Sequence, residues 1–182
     1  NYMKDIQVPL EWRNKRVFIR FSGAGTVTDL IVNGRHVGEH RGGFGAFTFE
    51  LTGYLRYGEQ NLLWAIVNNA PRLDVLPTAG DINIYGGLYR DVDLILTDRV
   101  AVSPTVWGTD GLFVEQVSVD DDAVEGRAAV YVSAPKDCQG MITLTVRDPD
   151  GYVVVEKTQK NNRPAGEPVT IPFTCLLYTS DA

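Results

Sequence analysis

Short runs of Val, Ile, Leu, Phe and Tyr recur roughly every ten residues, separated by clusters of Gly, Asn, Asp and Pro, while apolar spacing at the helical period is scarce. Residues 16–21 alternate, with Val17, Ile19 and Phe21 on one face and Arg16 and Arg20 on the other, the period-two pattern of a half-buried strand. Residues 27–32 read as a strand closed by Asn33-Gly34, a dipeptide that accepts the positive φ angles of a tight hairpin turn, with residues 35–38 as the return. Further strands are predicted over 47–51, 61–68 and 88–96, with a turn over 53–58. Residues 69–87 form one long loop. Loops of that length are uncommon in a compact domain and usually mean a functional loop or disorder; the contents of this one favour function. This one sets shape-fixing Pro71, Pro77, Gly80, Gly86 and Gly87 beside Asp74, Asp81, Asn83 and Tyr85, side chains able to meet a ligand.

Beyond Asp98 the texture changes, and residues 100–106, 112–119, 128–133, 141–147, 152–157 and 169–173 are evenly spaced predicted strands. Asp148-Pro149-Asp150-Gly151 has a turn mechanism: proline presets φ and glycine tolerates the left-handed region, so 141–157 should be a hairpin. The spacing predicts an immunoglobulin-like sandwich that lacks the Cys, Trp, Cys framework of antibody domains. Asp120-Asp121-Asp122 falls at a turn and reads as a solvated loop in preference to a calcium site. The chain is thus expected to be all-β, with a boundary near Asp98.

Charge and composition narrow the function classes. Twenty-three acidic against 17 basic residues give a formal net charge of -6, so attraction to nucleic acid or an anionic membrane is not expected. The chain is 44% hydrophobic and 22% charged, which fits a folded globular protein. Cys138 and Cys175 make no disulfide framework, and two histidines without CxxC spacing offer no zinc set, so neither metal nor cofactor is expected. No run approaches the roughly 18 apolar residues of a membrane span. Cytoplasm and periplasm both remain compatible locations.

Two stretches go beyond a generic β protein. The first is Asp29-Leu30-Ile31-Val32-Asn33-Gly34-Arg35-His36-Val37-Gly38-Glu39-His40-Arg41-Gly42-Gly43-Phe44; the second, over 80–92, ends in Gly86-Gly87-Leu88-Tyr89-Arg90-Asp91-Val92. Both resemble the sugar-binding domain of glycoside hydrolase family 2: the first its Asn-Gly hairpin, the second the segment entering a late strand of a jelly-roll sandwich. Val102-Ser103-Pro104-Thr105 and Gly108-Thr109-Asp110-Gly111 resemble the opening of the immunoglobulin-like domain that follows in the family. The resemblance implies a jelly-roll, galactose-binding-like β-sandwich over residues 1–98 and a truncated immunoglobulin-like β-sandwich over 99–182. Residues 175–182 do not resemble the usual close of that second domain. A replaced reading frame near Phe173 would leave it a strand short, with an exposed edge.

In that family a third, barrel domain carries two catalytic glutamates, and retaining glycosidases need such carboxyl groups about 5 to 5.5 Å apart. No catalytic residue is therefore expected in this chain, which reads as the non-catalytic front end of a parent most similar to a β-galactosidase. β-Glucuronidase and β-mannosidase share the domain order and stand as alternatives. A stand-alone carbohydrate-binding module and an adhesive sandwich pair are the readings from other classes. The implied partners are a β-galactoside substrate and the barrel of the same parent, and homo-oligomerisation of the parent is compatible with this reading.

By the resemblance, Asp81 sits where family members have an aspartate that contacts substrate hydroxyls; a carboxylate can accept from two hydroxyls at once and so discriminate epimers. Its competing structural reading is an Asx-turn. His40 falls where some β-galactosidases of the family carry a sugar-facing asparagine, which makes His40 and Arg41 second candidates against a reading as a polar rim. Asn83 and Tyr85 could offer an amide and a ring face to a pyranose, or serve turn and core. Arg90 and Asp91 read as a structural pair, and Trp12, Trp64 and Trp107 as packing.

Overall fold

The alternating residues 16–21 become the middle strand of one of two sheets that face each other. In a computed structural model of the protein, residues 1–76, 85–134, 140–161 and 167–176 are described. They divide into two compact units: Asn1–Arg99 with Pro104–Thr109, and Val100–Ser103 with Asp110–Ala182. In chain order the first unit holds β1 (Tyr2–Gln7), a 3-10 helix (Leu10–Asn14), β2 (Arg16–Phe21), β3 (Ala24–Gly25), β4 (Val27–Val32), β5 (Arg35–Arg41), β6 (Phe47–Glu50), β7 (Gln60–Asn68), β8 (Gly87–Leu88) and β9 (Val92–Thr97). One antiparallel sheet runs β1-β7-β4-β5, a second β6-β2-β9, and β3 pairs with β8.

The inward positions of both sheets make one core, in which Val17, Ile19 and Phe21 of β2 meet Leu30 and Val32 of β4 and Leu63 and Ala65 of β7. Phe21 stacks on Phe47 at 4.9 Å between centroids, and Phe49 meets both edge-on. The outward face of β2 is not the solvated face that its arginines predict. Phe18 is fully buried there and Arg16 is only 8% exposed. Arg16 lays its guanidinium over the Phe18 ring at 5.0 Å and donates Nε and Nη2 to the two carboxylate oxygens of Glu50, at 3.0 and 2.7 Å. That hydrogen bonding holds the Glu50 carboxyl below its ordinary pKa, with burial opposing.

The Asn33-Gly34 turn forms as its sequence demands, with φ of 52° and 79°. Asn33 does more than turn the chain. Its Nδ2 donates to the Tyr54 carbonyl at 2.9 Å and to Asn61 Oδ1 at 2.8 Å, while its Oδ1 accepts from Leu62 N at 3.1 Å. Asn61, 1% exposed, also takes the Arg56 amide at 2.7 Å and gives Nδ2 to the Arg56 and Glu59 carbonyls. The two amides thus close the loop over 53–59 and satisfy main-chain groups that burial would otherwise leave unpaired.

The second unit contains β10 (Ala101–Val102), β11 (Leu112–Val119), β12 (Ala123–Ser133), β13 (Gly140–Arg147), β14 (Val153–Asn161) and β15 (Pro168–Leu176). β12 is its spine, pairing with β10, β11 and β15. The Asp120-Asp121-Asp122 run is the exposed turn between β11 and β12. β13 and β14 form the hairpin predicted from Asp148-Pro149-Asp150-Gly151: Asp148 Oδ1 accepts from Tyr152 N at 2.8 Å, and Gly151 has φ of 91°. The predicted strand over 100–106 shortens to two residues, because the chain after Ser103 turns away and Trp107 takes a positive φ of 49°. Past Phe173 the ladder continues, with Thr174, Cys175 and Leu176 opposite Glu125, Val124 and Ala123; residues 177–182 and Cys138 lie outside the described residues.

Asn61→Ala is expected to lower the unfolding free energy of the first unit by about 2 to 3 kcal/mol in urea titration, because it orphans several main-chain groups at once. Arg127→Ala, which removes an exposed ion pair with Glu115, should leave the midpoint essentially unchanged.

Candidate functional site

The two motif stretches meet at one end of the first unit, held together by main-chain hydrogen bonds. Thr26 gives its amide and its hydroxyl to the Asn68 carbonyl at 3.0 and 3.1 Å, and its own carbonyl accepts the Gly42 amide at 2.9 Å. The Gly42-Gly43-Phe44 turn is then gripped by the second stretch: Tyr89 Oη donates to the Gly43 carbonyl, and Arg90 Nη1 donates to the carbonyls of Phe44 and Ser22 at 3.2 and 3.3 Å. Arg90 therefore does not pair with Asp91 as expected; the Asp91 main-chain carbonyl instead accepts the Ser22 amide at 3.0 Å. Because Tyr89 and Arg90 turn toward these partners, the strand predicted over 88–96 begins only at Val92.

The Gly-Gly pair of the second stretch has a packing reason. A Cβ on Gly86 would lie 2.5 Å from the Asn69 side chain. One on Gly87, whose φ is 96°, would lie 2.3 Å from Tyr2 Oη. Both glycines let the returning loop lie flat on β1 and on the start of the loop itself.

The sequence-predicted site residues fall in different settings. His40 faces inward at the end of β5, stacked on Phe47 at 3.9 Å between centroids and 11° between planes. Its Nε2 is shielded and has no hydrogen-bond partner among the described residues. Burial pushes the imidazole pKa down, with the nearby Gly42 backbone acting more weakly the other way, so the neutral form is favoured. Arg41 points to the loop: its Nε donates to Glu39 Oε1 at 2.6 Å and its Nη1 to Asp74 Oδ2 at 2.5 Å. Arg72 grips the same carboxylate through Nε and Nη2 at 2.8 and 2.9 Å. Held first by Arg72, Asp74 titrates well below an ordinary carboxyl, at about 2.

Asp74 was a ligand candidate from its loop position, yet both its oxygens are taken by guanidinium groups, and it fastens residues 69–76 to β5. This ion-pair cluster spans 33 positions between Arg41 and Asp74, and no local pattern announces it. Tyr85 is 78% exposed, with its carbonyl against Gly25. Asp81 and Asn83 lie outside the described residues. Trp12 packs against the core as expected, whereas Trp107 is 75% exposed. Among the described residues no cluster of His, Cys, Asp or Glu could hold a metal ion, and no helix is long and apolar enough to cross a membrane.

The family model for glycosyl hydrolases family 2, sugar binding domain, matches residues 1–98. The chain belongs to that family. It is similar to a β-glucuronidase of Bacteroides fragilis, 40% identical over 161 residues that cover 88% of this chain and 23% of the relative. It is also similar to a β-galactosidase of Thermoanaerobacter pseudethanolicus, 30% identical over 155 residues covering 84% of this chain and 20% of the relative. Among solved structures, a Bacteroides uniformis β-glucuronidase superposes with a TM-score of 0.82 at 31% identity, over 97% of this chain and 21% of that one. The chain therefore spans between a fifth and a quarter of the length of these relatives.

In this family 2 domain, Gly87→Ala should destabilise the first unit by about 2 kcal/mol or more, since the new methyl meets Tyr2 Oη from a backbone conformation that L residues resist; a thermal melt measures it. His40 sets a pH dependence. The unfolded imidazole takes up a proton below its ordinary pKa of 6.5 while the folded one resists, so stability is fully present above 6.5 and falls as pH drops through the lowered folded value. His40→Phe keeps the stack on Phe47 and should flatten that part of the stability profile.

Proposed function

We propose that residues 1–98 are the accessory sugar-site domain of a retaining family 2 glycoside hydrolase whose catalytic carboxylates lie on another domain of the same parent. The observation that carries this reading is the convergence of the two motif stretches at one end of the sandwich, with both flanks of the Asp81 segment fastened there. A carboxylate from this domain could accept from two sugar hydroxyls at once and so help distinguish epimers. Asp81 takes the main contact and Tyr85 a ring-face contact. His40, inward and stacked, and Arg41, committed to Glu39 and Asp74, support the loop and do not touch the sugar.

We infer a β-glucuronidase parent first and a β-galactosidase second. The relative named β-glucuronidase shares 40% of aligned residues with this chain and the β-galactosidase 30%, and that difference favours the first. The local charge does not separate them. Arg41 and Arg72 are balanced by Glu39 and Asp74, so a glucuronide carboxylate would find its cation on the catalytic domain.

The full-length parent, with and without Asp81→Ala, should be assayed on aryl β-D-glucuronide and aryl β-D-galactoside. Cleavage of the glucuronide is expected, with kcat/KM falling about a hundredfold in the variant, equivalent to about 3 kcal/mol of transition-state stabilisation. Galactoside cleavage with the same loss would favour the second parent, and full activity without the Asp81 side chain would reduce this domain to scaffold.

A further inference from the structure

Two buried polar side chains face each other across the ladder just before the Gly42-Gly43-Phe44 turn. Thr28 of β4 and His40 of β5 stand directly opposite in register. Both belong to the core side of their sheet: Thr28, fully buried, alternates with the core residue Leu30, and His40 stacks on Phe47. Thr28 Oγ1 and His40 Nε2 are shielded from solvent, and neither has a hydrogen-bond partner among the described residues. Side chains in such a pair start from Cβ atoms about 4.5 to 5.5 Å apart. Their polar tips do not bond each other, yet they start well within the span of one bridging water, two hydrogen bonds of about 2.8 Å end to end. Gly42 leaves room beside the imidazole: a Cβ at that position, where φ is 140°, would lie 3.3 Å from His40 Nε2 and 3.9 Å from Cε1.

We infer that Thr28 and His40 form a binding site for one buried water, which bridges Thr28 Oγ1 and His40 Nε2 and ties β4 to β5 under the turn. Each partner suits it. A threonine hydroxyl donates or accepts, and the imidazole nitrogen accepts from water in one neutral tautomer and donates to it in the other. Left unpaired, each group would carry its full desolvation penalty, which is why buried polar groups in folded proteins find a protein or water partner. The neighbour on the other side of Thr28 is Val67, which offers no polar side chain. At the far end of β4 the Asn33 and Asn61 amides meet the same demand directly; at this end a water does so. The bridge fixes the end of β5, and with it the Gly42 amide that bonds the Thr26 carbonyl. This inference does not rest on the role of Asp81 or on the sugar that the parent cleaves.

Thr28→Val tests it, because the two side chains are close in shape and the sign of the effect decides. In the 182-residue chain, above pH 6.5 where the imidazole is neutral, loss of the bridge strands His40 Nε2, and the folding equilibrium constant should fall about tenfold in urea titration. His40→Phe, which keeps the ring stack, strands Thr28 Oγ1 and should cost a similar factor. The double variant leaves no polar atom at the site, so its loss should be smaller than the product of the two single losses. The Gly42 amide should also exchange with deuterium faster in Thr28→Val than in the unsubstituted chain. A crystal structure of the 182-residue chain should show a water within about 3.2 Å of both atoms. A Thr28→Val protein as stable as the original, or more so, overturns the inference, because removing a hydroxyl with no partner costs nothing. So does a crystal structure in which both atoms bond protein groups and no water lies between them.

Discussion

Thr26 is the pin on which the loop end of the first unit depends. Its amide and hydroxyl hold the Asn68 carbonyl, its carbonyl holds the Gly42 amide, and a Cβ on Gly43 would come within 3.3 Å of its methyl. β4, β5 and β7 are thereby fixed together where the long loop leaves the sandwich. Tyr89 and Arg90 then close on the same turn from the other side, through carbonyls that any residue type could provide. Each such bond is worth only about 1 kcal/mol net, but an unpaired buried partner costs more, so the turn has one satisfied geometry and few alternatives.

What the sequence revealed was what local chemistry decides. Asn33-Gly34 and Asp148-Pro149-Asp150-Gly151 name their turns because positive φ and a preset φ are properties of those residues alone. The alternation of Val17, Ile19 and Phe21 named the core face for the same reason. The sequence stayed silent where distant residues decide. Arg16 looked solvent-facing until Glu50 and the Phe18 ring gave it a buried place. Arg41 looked ready for a ligand until Asp74 appeared beside it, 33 positions on. Trp107 shows the converse failure, since apolar character predicted packing and the side chain is 75% exposed.

The division of labour follows from this arrangement. A sugar is distinguished by the placement of its hydroxyls, and a site that must read them needs acceptors held rigidly at a distance from the bond that breaks. Under the proposed function the cleavage chemistry stands on another domain, and this unit supplies a sugar contact from outside it. The Asp74 cluster ties residues 69–76 to β5, Gly86 and Gly87 pass close over Asn69 and Tyr2, and His40 stacks on Phe47.

The most direct test is a crystal structure of the full-length parent with a tight-binding monosaccharide inhibitor in its catalytic site. The predicted result is an Asp81 carboxylate oxygen at hydrogen-bond distance, about 2.6 to 3.2 Å, from a sugar hydroxyl. A sugar held entirely by the catalytic domain, with no residue of 1–98 in reach, would contradict the central claim.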